Sequence, residues 1–378
     1  MREVHLLEIQ NPYPDCALIN LGAVPLPDSE TFQLLLTLSC HEQTLNLLAG
    51  RVKFTLRSAR FKLMVKDSPF EPVWDAVNPA FQATLQTKTL TAPEHSFLWQ
   101  FTPLPGQGSL KAVTHTIALG TLPSHPQPAH VTALLLVRPA DLGITTAEGL
   151  WRHDLSPNKH ALLDRVLAHF LCEHYLSPAV SWLQLSLGHL DHWDDLFPRR
   201  GKGVAPEIGK GLGDRLETMY ESPLSNWADL CGLAGLDPKV DLAGGNFLGT
   251  NLSGEDFSQG QLCHCNFRGA ILTDTDFSEA DLRGANFAGA DLSGVYLEKA
   301  QLHQANFRKS SLALANLIGA DLTGANLTEA NLQQTNLSGA IVTSALFGDN
   351  PGMTPELQQS LRERGAKFLS HSPEEVLL

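Results

Sequence analysis

Ala320-Asp321-Leu322-Thr323-Gly324-Ala325-Asn326-Leu327 is the stretch that decides the fold of the C-terminal part of this chain. It repeats an alanine, a short acid or amide, and a leucine after five residues. The spacing extends in both directions, because every fifth residue from Leu242 to Phe347 is Leu, Phe or Val. A period of five matches neither the strand period of about 2 nor the helix period of about 3.6, so the backbone has to bend at regular intervals.

The residues around each large apolar centre predict how the backbone bends. Two residues before the centre the side chain is usually small, and one residue before it Asp or Asn dominates, which favours a corner. Four five-residue sides would close a coil of twenty residues, and stacked coils would pair their backbones at about 4.8 Å, as strands do. Phe at alternate centres then predicts two facing ladders. One ladder holds Phe247, Phe267, Phe287 and Phe307, and the other holds Phe257 and Phe277.

This pattern resembles that of the pentapeptide-repeat superfamily, commonly written A(D/N)LXX. The resemblance covers roughly the last 150 residues and implies a right-handed quadrilateral β-helix. A leucine-rich repeat does not fit, because its leucines are unevenly spaced. Such a solenoid is a binding surface far more often than an enzyme. An extra domain ahead of pentapeptides looks like the architecture of cyanobacterial proteins.

The chain divides into five predicted segments and is expected to be mainly β. They are a β-rich, sandwich-like domain at 1–150, a helical segment with a Gly- and Lys-rich linker at 151–222, a helical cap at 223–239, the pentapeptide-repeat β-helix at 240–349, and a capping helix with a tail at 350–378. The caps are expected to cover the unpaired edges of the repeat, because open edges invite aggregation.

Local patterns predict the individual elements. Strands are predicted at 32–39, 52–65, 81–90, 96–101, 112–119 and 131–137. A helix is predicted from Ser156, and a second helical stretch is predicted after Pro178. Residues 201–213, which are rich in Gly and Lys, are interpreted as a linker. Short helices are predicted at 225–237 and from Thr354 towards Gly365, each ending at a glycine.

Composition limits the function classes. The chain has 378 residues, a net charge of -13 and a pI near 5.5, which disfavours general nucleic-acid binding. No run approaches the roughly 18 apolar residues of a spanning helix, and the N-terminus shows no secretory apolar region. Six scattered cysteines fit a reducing compartment. We therefore expect a cytoplasmic protein.

Two groups of residues invite a metal interpretation. In Cys263-His264-Cys265 the repeat pattern places Cys265 inward and the other two residues outward, so the three cannot converge on one ion. His189, His192, Asp194 and Asp195 form a denser polar cluster that is typical of a solvated helix end, with a metal role as the alternative.

The sequence shows no motif for catalysis. It has no Walker phosphate loop, no GxSxG elbow and no HExxH helix. We therefore assign no catalytic, cofactor-binding or metal-ligating residue and expect no cofactor and no enzyme activity. An enzyme in the N-terminal domain remains a third possibility.

Exposed apolar residues on the predicted coil suggest where a protein partner docks. Ile271, Tyr296, Leu314 and Ile318 are predicted to point outward, the last three near one corner, although scattered exposed apolar residues are ordinary on any surface. The resulting prediction is a non-catalytic scaffold, adaptor or assembly factor. No nucleic-acid or membrane partner is expected.

The alternative function is a DNA mimic. Some proteins of the superfamily resemble DNA in shape and charge and bind DNA gyrase, which demands a continuous acidic exterior. Basic residues interrupt that exterior here, among them Arg268, Arg283, Arg308 and Lys309. Glu255 also departs from the pattern, because it places a carboxylate at an inward position where a small residue belongs. Either the coil opens there or the carboxylate meets the cap.

Overall fold

The structure is a computed structural model that describes most of the chain. It covers residues 5–7, 17–26, 31–48, 50–66, 68–73, 75–77, 81–91, 94–103, 109–110, 115–123, 129–151, 154–176, 181–187, 206–224 and 226–369. The chain divides into two compact units. The first comprises Met1–Leu150 and Ala168–Gly213, and the second comprises Trp151–Leu167 and Asp214–Leu378.

The first unit is built on antiparallel sheets. Its strands are β1 (His5–Leu7), β2 (Ala17–Pro25), β3 (Thr31–Cys40), β4 (Gln43–Leu47), β5 (Gly50–Leu56), β6 (Ala59–Lys66), β7 (Glu71–Pro72), β8 (Asp75–Val77), β9 (Phe81–Thr91), β10 (Glu94–Pro103), β11 (His115–Pro123), β12 (Ala129–Leu136), β13 (Leu142–Glu148) and β14 (Ser181–Leu187). They form a seven-stranded sheet in the order β1-β14-β12-β6-β10-β9-β8, a four-stranded sheet β2-β3-β11-β7, and a three-stranded sheet β13-β5-β4.

Several of these strands alternate buried and half-buried residues, which places one face of each in the core. β6 alternates strictly, and its Phe61 packs at 5.9 Å from Phe101 and 6.0 Å from Trp99, measured between ring centroids. The strands predicted at 32–39, 81–90, 96–101 and 131–137 are confirmed. Of the strand predicted at 112–119, residues 115–119 lie in β11.

The single strand predicted at 52–65 is wrong, because the chain breaks between β5 and β6. The break lies at Ser58, which is buried and donates its hydroxyl hydrogen to the buried Asp141 carboxylate. A short 3-10 helix at Pro139–Asp141 presents that carboxylate, whose other oxygen accepts the Arg138 backbone N–H at 2.8 Å. A buried polar group needs such a partner, and here the partnership fixes the corner between two strands.

The segment after Pro178 was wrongly predicted to be helical. It forms β14, which pairs antiparallel with both β1 and β12. Gln184 and Ser186 alternate with leucines in its sequence, which is the strand period that a helical interpretation overlooks. Hydrogen bonds to these two neighbouring strands pair the backbone N–H and C=O groups of β14 on both of its edges.

The helices of the chain include one that sequence reasoning missed. α1 (Pro157–His174) confirms the helix predicted from Ser156. α2 (Pro206–Glu221) shows that the linker prediction for 201–213 is wrong from Pro206 onward. Leu212, Leu216 and Met219 recur at helical spacing and are buried, so burial of one face outweighs the low helix propensity of the glycines within α2.

The second unit contains the repeat and its two end elements. α3 (Trp227–Ala234) confirms the predicted N-terminal cap helix, with Asn226 accepting the Asp229 backbone N–H and Gly235 at a φ of 65°. At the C-terminal end, α4 (Pro355–Glu363) confirms the second predicted helix. Two short parallel strands, β15 (Leu346–Phe347) and β16 (Lys367–Phe368), close that end.

Residues twenty positions apart pair in parallel throughout the repeat. Bridges run without interruption from the Asn246–Asn266 pair to the Asn326–Leu346 pair. The chain therefore returns alongside itself after four pentapeptides. We call a set of such bridged residues a column and name it by its first and last members.

The sequence predicted that the turn of each pentapeptide lies at the Asp or Asn. In the structure the turn lies later in the pentapeptide. The Asp or Asn forms the bridge, and its side-chain oxygen accepts the backbone N–H two residues later, as Asp256 does from Ser258 at 2.8 Å. The turn residue with positive φ comes one position after that, for example Gln259 at 58°. The acid or amide thus orders the turn from outside it.

Candidate interaction surface

The interior of the repeat is filled by its own side chains. Phe247, Phe267, Phe287 and Phe307 stack at 4.9, 5.0 and 4.9 Å between successive ring centroids, with interplanar angles of 5° to 13°. The second predicted ladder is also present, with Phe257 and Phe277 stacked at 5.4 Å. Because the core is occupied by side chains, any binding surface of the repeat lies on its outward columns.

The outward column Asp256–Asn336 carries one of the predicted partner residues. Successive bridges join Asp256, Asp276, Tyr296, Asn316 and Asn336. Tyr296 is 50% exposed. Because the backbone on either side of it is hydrogen bonded into neighbouring turns of the repeat, its ring projects from a fixed platform.

Two more predicted residues flank the same column. Leu314 lies two positions before Asn316 and Ile318 lies two positions after it, and they are 62% and 37% exposed. Asn316 is the bridge partner of Tyr296. The column therefore brings Tyr296, Leu314 and Ile318 onto adjacent turns of the repeat. We call these three residues the apolar half.

Other exposed apolar residues lie away from this column. Ile271 is 44% exposed and is bridged to Asn251 and Asp291. Leu248 and Ile341, which sequence analysis did not single out, are 53% and 50% exposed. Both occupy outward positions of the five-residue pattern, so applying the pattern to every pentapeptide would have found them.

Carboxylates occupy the turns of the repeat that precede the apolar half. Asp276 is bridged to Tyr296, and it is flanked in sequence by the exposed Asp274 and Glu279. Within the described residues, none of the three is in an ion pair. We call them the acidic half. Sequence analysis considered the acidic exterior of the repeat as a whole and did not single out these three residues.

Neighbouring charges around the column are compensated. Asp256 lies 3.2 Å from the Lys239 ammonium, and the Ser258 hydroxyl and backbone N–H, together with Lys239, hold the pKa of the Asp256 carboxyl below its usual value. Glu298 and Lys299, which follow Tyr296, form a pair at 3.4 Å. The acidic half thus carries the carboxylates of this region that no cation pairs with among the described residues.

The basic residues on other columns mostly bind carboxylates of the repeat itself. Arg283 donates to both oxygens of Asp281 at 2.8 and 2.7 Å. Burial opposes ionisation of Asp281, but the Arg283 hydrogen bonds and charge outweigh it and lower the pKa of Asp281. Glu329 holds Arg308 at 2.8 Å and Lys309 at 3.3 Å. Arg268 has no ion pair within the described residues.

The candidate metal ligands do not come together. Cys265 is buried and lies 3.2 Å from the Leu242 carbonyl oxygen, whereas Cys263 is half-buried and His264 is exposed. No group of three or more His, Cys, Asp or Glu within the described ranges could hold a metal ion. His189, His192, Asp194 and Asp195 lie outside the described residues.

The repeat is not opened at Glu255. Its backbone N–H donates to the Leu252 carbonyl at 3.2 Å, and its carbonyl accepts the Asp276 N–H at 3.0 Å, so the local hydrogen bonds are intact. Burial raises the pKa of its half-buried carboxyl. The carboxylate is close enough to α3 to raise the pKa of Cys231, after the larger effect of burial.

Comparison with known families agrees with this repeat geometry. A family model of pentapeptide repeats matches the chain in eight copies, over residues 270–308 and 310–349. The chain belongs to the pentapeptide-repeat family through this region. No curated protein is significantly similar to it in sequence.

Solved structures of pentapeptide-repeat proteins are also similar over part of the chain. One, from the Arabidopsis thaliana thylakoid lumen, is 30% identical, with 34% of this chain and 83% of that chain covered and a TM-score of 0.23. HetL, involved in heterocyst differentiation regulation in the cyanobacterium Nostoc, is 31% identical, with 28% and 55% covered and a TM-score of 0.17. QnrB1, a plasmid-mediated fluoroquinolone resistance protein, is 17% identical, with 34% and 83% covered and a TM-score of 0.23.

One observation bears on membranes. Within the part of the chain that the structure describes, no helix combines the length and apolar character needed to cross a bilayer.

Proposed function

We propose that this pentapeptide-repeat protein is a non-catalytic, cytoplasmic scaffold, adaptor or assembly factor that docks a protein partner on its repeat. The observation that carries the proposal is the apolar half, where Tyr296, Leu314 and Ile318 are exposed on adjacent turns of a continuously hydrogen-bonded backbone. We place Ile271, in another outward column, at the margin of this surface.

The proposed geometry is a right-handed quadrilateral β-helix. Parallel pairing at a spacing of twenty residues supports it, because four sides of five residues account for that spacing. Filled Phe ladders inside the repeat keep the outer columns in place. A rigid surface loses little conformational entropy on binding, so a few exposed apolar side chains are sufficient for specific docking.

Tyr296 is the proposed anchor of the interface. Aromatic residues dominate binding energy at protein interfaces because they bury a large area with few rotatable bonds. Leu314 and Ile318 would exclude water around the buried ring. The remaining contacts would then contribute shape complementarity more than binding free energy.

The DNA mimic that binds gyrase is the second candidate. The net charge of -13 and the binding of Arg283, Arg308 and Lys309 by carboxylates of the repeat favour it. Exposed Tyr296 and Leu314 disfavour it, because apolar side chains interrupt an acidic surface. Gyrase is therefore one possible outcome of the following test.

The test is affinity purification of the full-length protein from extract of its native host, with Tyr296→Asp/Leu314→Asp as the variant. Ile341→Asp/Leu248→Asp is a matched control, since it charges two similarly exposed residues away from the column Asp256–Asn336. We expect a partner that is retained by the wild type and the control but lost with the variant. Unchanged retention by the variant would refute docking on the apolar half, and retained gyrase would support the second candidate.

Full-length protein is required for this experiment. The segment Trp151–Leu167 belongs to the same compact unit as the repeat. Asn158 in α1 bonds the backbone of Asn251 twice, at 2.9 and 3.1 Å. A truncation that starts near Ser222 would remove those contacts and disturb the first turns of the repeat.

A further inference from the structure

The column Asp256–Asn336 changes character halfway along its length. Its first two members are aspartates, its third is Tyr296, and its last two are asparagines. The residues that flank the column change in the same way. Asp274 gives way to Leu314 on one side, and Glu279 gives way to Ile318 on the other. Acidic and apolar halves therefore form one strip along the repeat.

Backbone hydrogen bonds keep the flanking turns aligned with the column. On one side, Asp274 donates its N–H to the Ser293 carbonyl at 3.1 Å, and Leu314 donates to Gln333 at 2.9 Å. On the other side, Glu279 donates to the Glu298 carbonyl at 2.8 Å. Each turn of the strip is thus tied to the next, and the two halves cannot slide relative to each other.

We propose that this strip docks a protein segment in which lysine or arginine lies close to bulky apolar side chains. The inference rests on the proposed docking function and specifies its partner. The apolar half is the anchor, and the carboxylates of Asp274, Asp276 and Glu279 select for cations beside it. Complementary rim charges determine specificity and association rate more than total affinity.

Other occupants fit the strip less well. A second copy of the chain would place its own carboxylates against either carboxylates or apolar side chains, and both arrangements desolvate charge without compensation. Nucleic acids and anionic lipid surfaces are repelled by the acidic half. A cationic, apolar protein segment is the partner that satisfies both halves together.

The strip also predicts spacing within the partner. Neighbouring members of a column are about 4.8 Å apart, so Asp276 lies about 5 Å from Tyr296, one step away, and about 10 Å from Asn316, which Leu314 and Ile318 flank. An extended segment rises about 3.3 Å per residue. Its basic residues should therefore lie about one or two positions from the side chain that contacts Tyr296, and about three positions from the side chain that contacts Leu314 and Ile318.

The experiment is selection from a displayed library of random 12-residue peptides on immobilised full-length protein. Peptides that bind the Tyr296→Ser/Leu314→Ser variant are removed first, so that the remaining peptides depend on the apolar half. Enriched peptides are then synthesised and titrated by fluorescence anisotropy against three proteins. These are the wild type, Asp274→Asn/Asp276→Asn/Glu279→Gln, and a control that removes the same charge from outside the strip, Asp291→Asn/Asp321→Asn/Glu329→Gln.

We expect enriched peptides to carry Lys or Arg about one to three positions from aromatic or leucine residues. Their affinity should fall about tenfold with the acidic-half variant in low salt, much less with the control, and weaken as salt is added. Neutral or acidic peptides, or equal losses with both charge variants, would overturn the inferred partner chemistry and leave docking on the apolar half intact. Failure to enrich any peptide would overturn docking itself.

Discussion

The Trp227 ring of α3 lies edge-on against Phe247, with 5.8 Å between the ring centroids and 67° between the ring planes. It also lies 6.1 Å from Phe257, so one buried side chain covers the first member of both Phe ladders. We expect Trp227→Ala to cost about 3 to 5 kcal/mol of unfolding free energy. Urea denaturation with Trp227→Phe as a milder control would measure it. A loss below about 1 kcal/mol would mean that the ladders do not depend on this cap.

Phe287 tests the ladder itself, because it is stacked on Phe267 below and Phe307 above. Phe287→Ala should cost about 3 to 5 kcal/mol, since the neighbouring rings cannot collapse into the cavity. Phe287→Leu should cost roughly 1 kcal/mol, because Leu327 already occupies the same ladder position one turn beyond Phe307. Equal losses in denaturant titrations of the two variants would contradict this explanation.

Asn350 closes the far end of the same unit. Its amide donates to the Leu327 and Ala330 carbonyls at 2.6 and 2.9 Å, and its oxygen accepts the Gly348 N–H at 2.8 Å. Asn350→Ala should lower stability by about 1 to 3 kcal/mol by leaving these groups without partners. Asn350→Asp should lower it further at neutral pH, because a carboxylate faces two carbonyl oxygens. Thermal melts at pH 7 would rank the variants, and the reverse order would refute the proposed donor role.

Glu255 predicts a pH-dependent stability difference. Burial raises the pKa of its carboxyl above the ordinary value of 4.5, so the folded state keeps a proton that the unfolded chain has released. Stability therefore falls as pH rises from about 4.5 through the raised pKa. We expect Glu255→Gln to be more stable than the wild type at pH 7 and equal to it at pH 4. A difference in melting temperature that stays constant between these pH values would exclude this mechanism.

Cysteine reactivity tests the packing of the cap. Burial, with smaller contributions from Glu255 and Asp237, raises the pKa of Cys231 to about 12. At pH 8 the thiolate fraction of such a group is on the order of one in ten thousand. Iodoacetamide labelling read by mass spectrometry should therefore modify half-buried Cys263 in the folded protein and Cys231 only after unfolding. Equal labelling rates would show that α3 detaches from the repeat.

The repeat could be predicted from sequence because its pattern is local and strict. Any five residues define which side chains face inward, so the Phe ladders follow directly from the position of each centre. The turn residue was assigned wrongly for a physical reason. Asp256 and its equivalents favour turns, but they act by accepting the backbone N–H of the residue two positions later. The positive φ lies one residue after that donor, at Gln259 in this example.

The first unit was less predictable because its corners depend on distant partners. The break at Ser58 requires Asp141, which is far away in sequence and is presented by a different element. Similarly, β14 becomes a strand because it pairs with β1 along one edge and with β12 along the other. The acidic half was overlooked for a simpler reason: its carboxylates are ordinary surface residues until the bridge from Asp276 to Tyr296 places them beside apolar side chains.

Pairing at a spacing of twenty residues restricts how the length of this protein can change. Inserting five residues between Asp276 and Tyr296 would preserve every inward leucine and phenylalanine, yet it would rotate all later outward residues by one column. The repeat would still fold after such an insertion, but the outward residues on either side of it would no longer lie in the same columns. Only gains or losses of twenty residues keep both intact, so duplication of a whole turn is the route by which a chain of this kind can lengthen without losing what it recognises.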